Sequence, residues 1–420
     1  MNESIQDRTG DINAVVRIIT GAPETKAVKD TDINSIAIFA FKGDALVGYV
    51  YETGLTASGE NVFPMNLSDE GAIDFYAIAN PDPGFFILKQ DSGETIDLRG
   101  TSTADYPDYI TPDILEASRV TLNPERPAES SDWYTPMTNL PGAGRINMRY
   151  TVDGPGWTEI PLELTRAVSK IEVWFRSRGD VKGTTPTNTT TETERIYDGD
   201  PMPDPNGYKP SVSGSLSSYY NIDGMTLSMP VSDAGLYSED SGYDGTSVTT
   251  VSGPFNFRTE NDNTLFKDYP IGSIPNNFYS DEYFVHIWTY YIFPNTFGGN
   301  MAGEDASSGG KGTILTVDYA HRQDSGEYVY DRYEDHHGTE GALWWEKSYI
   351  VYEFYWNWVW SDPVLYPSAQ QQSKDVYLPA CERNTAIRVW CALNDNTDRT
   401  FTYTVSDWDE TVSVNVPDFE

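Results

Sequence analysis

Residues 11–27 read DINAVVRIITGAPETKA, and this stretch near the N-terminus decides how the rest of the chain is interpreted. Its apolar side chains Ile12, Ala14, Val16 and Ile18 recur at every second position, which predicts a half-buried β-strand. A Gly-Ala-Pro sequence then ends the strand. Two interpretations are open: an ordinary first strand followed by a loop, or a removable strand followed by a protease site.

The segments that follow also indicate strands rather than helices. Residues 36–41 (IAIFAF) and 75–80 (FYAIAN) are short apolar runs, typical of buried strands. Late in the chain, Phe401, Tyr403 and Val405 alternate with polar residues, as do Val412, Val414 and Val416. One short helix is expected after Thr111, where Thr precedes Pro at the first helical position. The sequence therefore predicts an all-β fold.

The length of 420 residues allows more than one domain with a core of its own. Residues 153–156 (DGPG) form a turn-rich boundary. We predict two antiparallel β-sandwich domains in tandem, with an N-terminal domain over residues 1–156 and a larger C-terminal domain over residues 157–420. Residues 182–214 are rich in Thr, Pro and Gly and are predicted to be a long loop.

Composition excludes several classes of partner. The formal net charge is −36, from 64 acidic and 28 basic side chains. Such a charge repels phosphate backbones and anionic lipids, so we expect neither nucleic-acid nor membrane-surface binding. No apolar run is long enough for a transmembrane helix. We expect the two cysteines, Cys381 and Cys391, to be structural thiols, because a strand running between them would hold them too far apart for a disulfide.

The residues that could carry enzyme chemistry form no recognisable pattern, so we predict a protein without catalytic activity, cofactor or metal. Of the four His residues, His336 and His337 are adjacent in an acidic stretch that is predicted to be a solvated turn. Oxygen-bearing side chains that could suit Ca²⁺ crowd one loop. These are Asp198, Asp200, Asp204 and Asn206. Turn chemistry explains the same residues, and we favour it.

Residues 343–363 contain five of the eleven Trp residues. Tyr352, Phe354, Trp356, Trp358 and Trp360 share one parity, which favours the buried face of a long strand. The alternative is an exposed platform for stacking sugars or a protein partner, with Trp344 and Trp345 as the candidate ligand-binding aromatics.

Several short motifs occur in an order that resembles one family. They are residues 25–27 (TKA) followed by 36–41 (IAIFAF), 75–80 (FYAIAN), 135–138 (TPMT), 164–171 (LTRAVSKI), 291–295 (YIFPN), 382–385 (ERNT) and 405–408 (VSDW). Together they span most of the chain, which resembles the Bacteroidales fimbrillins, the subunits of surface pili that assemble by donor-strand exchange.

The resemblance implies two transthyretin-like β-sandwiches, export as a lipoprotein precursor and a place in a fimbria on the outer membrane, with the export signal absent from this sequence. It also implies cleavage between Lys26 and Ala27, where the family usually has Arg before the cut. Removal of the strand containing Ile12, Ala14, Val16 and Ile18 would open a groove. Another subunit's C-terminal strand, corresponding here to Val412, Val414 and Val416, would fill it.

Three hypotheses follow from the sequence. The first is a fimbrial subunit that supports adhesion, at the tip or in a minor position rather than in the stalk, with other subunits and a surface receptor or glycan as partners. The second is a surface carbohydrate-binding sandwich that does not polymerise. The third is a glycan hydrolase, which the abundance of carboxylates permits but no particular pair supports.

Overall fold

A computed structural model describes most of the chain. The described residues are 12–20, 33–55, 62–84, 86–98, 109–123, 142–145, 150–152, 157–178, 185–197, 199–216, 218–238, 241–242, 247–252, 285–298, 312–342, 344–367, 369–394 and 400–407.

Strands dominate the described residues, which confirms the all-β prediction. In chain order the first twelve are β1 (Ile12–Thr20), β2 (Ser35–Lys42), β3 (Ala45–Thr53), β4 (Val62–Leu67), β5 (Gly71–Ala79), β6 (Phe86–Lys89), β7 (Thr95–Ile96), β8 (Arg119–Leu122), β9 (Gly142–Arg145), β10 (Tyr150–Val152), β11 (Trp157–Arg166) and β12 (Ser169–Arg178). The others are β13 (Thr189–Glu192), β14 (Ile196–Tyr197), β15 (Ser218–Met229), β16 (Asp233–Gly235), β17 (Ser241–Gly242), β18 (Ser247–Ser252), β19 (Val285–Ile292), β20 (Ile314–Ala342), β21 (Trp345–Leu365), β22 (Gln372–Tyr377), β23 (Thr385–Asn394) and β24 (Thr400–Asp407).

The predicted helix is present as α1 (Pro112–Glu116). The Thr111 hydroxyl accepts a hydrogen bond from the backbone N–H of Ile114 at 3.3 Å, and Pro112 occupies the first helical position. The cap and the proline therefore act as the sequence indicates. The predicted loop over residues 182–214 contains strands β13 and β14 and a short 3₁₀ turn, Pro205–Tyr208. The loop prediction was wrong for the two strands.

The strands form four sheets. The first has the order β3-β2-β5-β9-β11-β1-β4, with β10 paired to β5. The second has the order β19-β12-β23-β24, and the third β17-β16-β8-β6-β7. The fourth has the order β13-β21-β20-β15-β18, with β14 on β21 and β22 on β20. Among the described strands the pairing is antiparallel except between β1 and β11 and between β12 and β23.

The main hydrophobic core lies between these sheets and takes side chains from all four. Phe39 and Phe41 come from the first sheet, while Phe86, Phe175 and Leu315 represent the other three. Burial of apolar side chains between facing sheets is the packing of a β-sandwich, so that part of the prediction is confirmed.

The domain boundary predicted after residue 156 does not coincide with a change from one sheet to another. Strand β11 follows that boundary directly but belongs to the first sheet, and β8, which precedes the boundary, shares a sheet with β16, which follows it. The main core also joins both sides, since the rings of Phe86 and Phe293 lie 5.7 Å apart. The division into two domains stays a prediction.

Two residues of the quoted motifs have structural roles that the sequence alone did not show. The Asn80 side chain accepts hydrogen bonds from the backbone N–H groups of Asn34 and Ser35, which fixes the end of β5 against the start of β2. The Arg383 guanidinium donates to the backbone carbonyls of Gly235 (2.9 Å) and Leu236 (3.1 Å). These motif positions therefore join segments that are distant in sequence.

The two cysteines are free and buried, as expected for structural thiols. Burial raises the pKa of the Cys381 thiol to about 11, and burial also raises that of Cys391. Both therefore stay protonated near neutral pH, the unreactive form.

Candidate functional site

Strand β1 occupies an interior position in the first sheet. It pairs in parallel with β11, from Asn13 opposite Trp157 to Thr20 opposite Leu164. On its other edge it pairs antiparallel with β4, from Ile12 opposite Leu67 to Arg17 opposite Val62. The N-terminal strand is thus inserted between two strands that come later in the chain.

One face of β1 is part of a second hydrophobic core. Ala14 and Val16 are completely buried, as the alternation predicted. They pack in a cluster with residues from the two flanking strands, Phe63, Met65 and Leu67 on β4 and Ile160 and Leu162 on β11. For Ile12 and Ile18 the structure describes the backbone pairing alone.

The opposite face of β1 is more exposed. Val15 is half-buried, and Arg17 forms an ion pair with Glu159 of β11 at 2.5 Å. Both of these charged side chains reach solvent, so the pair adds little stability. Core packing and two rows of backbone hydrogen bonds therefore hold β1 in place.

The other residues of the strand-exchange hypothesis lie outside the described residues. Lys26 and Ala27, where processing is predicted, belong to this group, and so do Val412, Val414 and Val416 of the predicted donor strand. Their roles stay predictions.

A second candidate site is a long β-hairpin formed by β20 and β21. Beyond Gln323, where pairing with β15 ends, residues 324–342 of β20 run alongside residues 345–361 of β21. We call this part the distal arm. At roughly 3.3 Å per residue its β20 strand is about 60 Å long. On the β20 side of the distal arm no strand within the described residues is paired, whereas β13 and β14 line the β21 side.

The distal arm has a small core of its own. Tyr328, Phe354 and Trp356 are buried there, and Tyr208 and Val212 from the loop after β14 pack against them. The Trp356 indole N–H donates to the Thr191 hydroxyl of β13 at 2.8 Å. The one-face burial predicted for the aromatic block is therefore confirmed in the middle of β21. The prediction was wrong at Trp360, which is 43% exposed because it lies beyond the part of β21 that β13 and the loop after β14 cover.

Near the tip, charged groups connect the distal arm to β14. Glu340 accepts hydrogen bonds from the Tyr197 hydroxyl, at 2.5 Å, and from the Arg195 guanidinium. Arg195 also lies over the Tyr349 ring, 4.6 Å from its centroid. The hydrogen bond from Tyr197, with help from Arg195, lowers the pKa of Glu340. Polar contacts thus replace hydrophobic packing along this part of the arm.

Trp344 and Trp345 lie at the tip, where the chain turns from β20 into β21. They are 84% and 52% exposed. Gly341 has a φ of +132°, and a Cβ at this position would collide with the Trp345 carbonyl oxygen. A glycine is needed there because the two backbones approach closely. The structure therefore places the two predicted ligand-binding aromatics in solvent, next to each other at the end of a projecting element.

His336 and His337 lie inside β20, so their prediction as a turn was wrong. Consecutive strand residues point to opposite faces. The His336 Nε2 atom is 3.3 Å from Glu353 Oε2 across the hairpin, whereas His337 lies 3.2 Å from Asp335. Glu334, His336 and Glu353 form a group whose ligand-type atoms all lie within 4.8 Å of one another. A hydrogen bond from His336 is the main cause that lowers the pKa of Glu353.

The acidic loop considered for Ca²⁺ behaves as a turn in its described part. The Asp204 carboxylate accepts hydrogen bonds from the backbone and side-chain nitrogens of Asn206 and begins the 3₁₀ turn. Asp198 lies outside the described residues. The local contacts agree with the turn interpretation.

No helix in the described parts of the chain is long and apolar enough to span a membrane. No family model matches the sequence. No curated protein matches it either.

Solved structures do show a likeness. A proposed cell adhesion protein from Parabacteroides distasonis matches with a TM-score of 0.43 and 12% identity, over 96% of this chain and 99% of that one. A tip fimbrial protein from Porphyromonas gingivalis matches with a TM-score of 0.42 and 13% identity, over 95% and 100%. A fimbrilin from the same organism matches with a TM-score of 0.42 and 13% identity, over 94% and 97%. The structural neighbours of the chain are thus fimbrial and adhesion-type proteins of Bacteroidales, at low sequence identity.

Proposed function

We propose that this protein is a subunit of a cell-surface fimbria that supports adhesion and assembles by strand exchange. The observation that carries the proposal is the position of β1, an N-terminal strand held between β4 and β11 with Ala14 and Val16 in a core. The fimbrillin-like motifs supply the expected processing position between Lys26 and Ala27. No catalytic step is part of the proposal.

The physics of this arrangement suits exchange. Loss of β1 would leave a groove lined by Phe63, Met65 and Ile160, with unpaired backbone groups on both β4 and β11. Such a groove is costly in water because it exposes apolar surface and unsatisfied edges. A strand with alternating apolar residues would restore both kinds of contact, and Val412, Val414 and Val416 have that pattern.

The proposal includes the route implied by the sequence motifs: export as a lipoprotein precursor, processing by a trypsin-like protease and assembly at the outer membrane. The partners are other fimbrial subunits. Within the fimbria we place this chain at the tip or in a minor position, since an element as long as the distal arm needs space around it.

A second candidate function is favoured by the exposed tip of the distal arm. Trp344 and Trp345 are large aromatic side chains that remain in solvent, where a sugar ring could stack on them. We propose that this tip contacts a receptor or glycan. In a protein that does not polymerise, the same tip would serve the carbohydrate-binding function.

The test is limited digestion of the full chain with a Lys/Arg-specific protease, followed by N-terminal sequencing and a denaturing gel run with and without heating. We expect an early cut that leaves Ala27 as the new N-terminus, together with oligomers that survive unheated denaturant. The matched control is Lys26→Gln, which should abolish both products. Arg17 is the internal control because it lies within a paired strand.

Two results would argue against the proposal. If cuts occur elsewhere while Lys26 stays protected, β1 is a fixed part of the core. If Ala27 becomes the N-terminus but the chain stays monomeric and keeps β1 bound, processing occurs without strand exchange.

A further inference from the structure

The face of the distal arm opposite its small core brings together two carboxylates and one imidazole. Glu334 and Glu353 are directly opposite each other across the hairpin, and His336 follows Glu334 by two residues on the same face. Like charges directly opposite each other destabilise a strand pair. This pair occurs in a chain that is already strongly acidic, so a bound cation would relieve its repulsion.

We propose that Glu334, His336 and Glu353 bind one divalent transition-metal ion, with Zn²⁺ the best match. This proposal does not depend on the fimbrial function. Imidazole nitrogen and carboxylate oxygen are the donors that Zn²⁺ takes in three-ligand sites, where water completes the coordination. Hard cations such as Ca²⁺ prefer six or more oxygen ligands, which this group does not offer.

The distances fit such an ion after small side-chain rotations. The three ligand-type atoms lie within 4.8 Å of one another, and His336 Nε2 is already 3.3 Å from Glu353 Oε2. Donors around a tetrahedral ion with bonds of roughly 2.0–2.1 Å are about 3.3 Å apart. Glu334 and His336 are exposed, so their side chains can close this gap without moving the backbone.

The register of the hairpin creates the group. A bulge between Tyr330 and Arg332 shifts the pairing by one residue, so that Glu334 meets Glu353 and not its neighbour. Without the shift, Glu334 would point to the face that carries the aromatic core, since one residue of slip exchanges the faces.

Neighbouring groups orient the ligands. The Tyr355 hydroxyl donates to Glu353 at 3.1 Å and is also within hydrogen-bonding reach of Glu334. Hydrogen bonds of this kind hold metal-binding carboxylates in position. Arg332 lies beside the group. Its guanidinium lies over the Tyr355 ring, 4.0 Å from the centroid, and reaches Glu334 at 3.5 Å. It therefore neutralises Glu334 in part, whereas Glu353 has His336 as its charge-bearing neighbour and Tyr355 and Thr190 as hydrogen-bond partners.

A metal ion here would connect the two strands of the distal arm. Two of the ligands are on β20 and one is on β21, so the ion would act as a cross-strand link on the face opposite the small core. If the ion binds only to the folded arm, it raises the free energy of unfolding of the arm. The increase grows with the logarithm of the ratio of the free metal concentration to the dissociation constant.

The experiment is a titration of the chelator-treated full chain with Co²⁺, followed by visible absorption, and then competition with Zn²⁺. We expect saturation at one Co²⁺ per chain with visible bands of a low-coordinate site. We also expect Zn²⁺ to displace Co²⁺, since it binds such donors more tightly. Loss of a residue that only hydrogen-bonds to a metal ligand typically weakens metal binding by about 10- to 100-fold, and loss of a ligand itself should weaken it more. His336→Ala and Glu353→Gln should therefore each weaken metal binding by more than about 10-fold.

The matched control is His337→Ala, which removes the neighbouring imidazole on the other face and should change affinity by less than about 2-fold. The absorption bands report coordination directly, so a purely structural role for His336 would not produce them. The proposal is overturned if the unaltered chain shows no saturable Co²⁺ or Zn²⁺ binding. It is equally overturned if His337→Ala weakens binding as much as His336→Ala does.

Discussion

Val15 and Val16 are neighbours in β1, yet their surroundings differ completely. Val16 is fully buried in the core between β4 and β11, while Val15 is half-buried on the other face. The sequence predicted this difference because alternation of apolar residues is a local property that needs no knowledge of the partners. It could not predict that β11 would pair with β1 in parallel, since pairing depends on distant residues.

The two valines give a paired test of the first strand. Val16→Asn loses buried apolar contact and buries an amide, so we expect the free energy of unfolding to fall by about 3 kcal/mol. Val15→Asn should cost less than about 1 kcal/mol, because its side chain retains access to solvent. Urea unfolding of both variants measures the difference. Equal losses would contradict the burial assigned to this strand.

Glu340 illustrates a residue whose importance the sequence concealed. Its pKa lies below the ordinary value because the Tyr197 hydroxyl, and secondly Arg195, donate hydrogen bonds to the carboxylate. Tyr197 is on β14, in a stretch predicted as loop, so these partners could not be assigned from sequence.

Tyr197→Phe should raise the pKa of Glu340 part of the way back towards its ordinary value, since Arg195 remains. A carboxylate with a lowered folded pKa contributes stability above its unfolded pKa and loses it as pH falls through the folded pKa. In the unaltered chain the tip contacts should therefore weaken on acidification, and in the variant they should weaken at a higher pH. Carbon NMR titration of the carboxyl group measures this, and an unchanged midpoint would exclude the Tyr197 contact.

At the scale of elements, the sequence was informative for β1, β2 and α1 and much less so for the distal arm. The outer half of β20 is polar on both faces, as in the run DRYEDHH at residues 331–337, so it lacks the alternation that marks a strand. Bulges in β20 also interrupt the period of two. The aromatic parity of β21 was the one local signal, and it located the small core correctly around Phe354 and Trp356.

The distal arm should unfold separately from the rest of the protein if its small core is disturbed. Phe354→Ala removes a fully buried ring, which typically costs about 3–5 kcal/mol. We expect faster hydrogen exchange in residues 324–342, with β2 still protected, because among the described residues the small core is a cluster separate from the main core. Trp345→Ala at the exposed tip is the control and should leave exchange unchanged. Loss of protection from hydrogen exchange in β2 as well would show that the arm and the rest of the protein unfold together.

At the scale of the whole molecule, one large core joins four sheets, and a separate core contains one face of β1. In the proposed strand exchange, the β1 groove would be emptied and refilled while the main core stays intact. The sequence supported a β-sandwich because its strands and turns are locally encoded. It could not specify which strands share a sheet. Strand β8, for example, pairs with β16, which is distant from it in the sequence.

The tip of the arm offers a test of adhesion apart from assembly. The double variant Trp344→Ala and Trp345→Ala should keep the unfolding midpoint and the oligomers of the parent, because both side chains are exposed. It should lose binding on a glycan array or to host-cell surfaces if stacking on these rings carries recognition. Val405→Ala, another exposed apolar position, is the control. Unchanged binding by the double variant would exclude the tip as the contact.

Replacement of β1 by another chain's strand is the central claim, and native mass spectrometry of peptide capture tests it most directly. The chain is cut after Lys26 and mixed with a peptide of residues 409–420 (DETVSVNVPDFE). The control peptide carries Ser at 412, 414 and 416. We predict loss of the fragment that contains β1 and tight capture of one unaltered peptide per chain, with no capture of the control. Retention of β1 with no capture of either peptide would contradict the account.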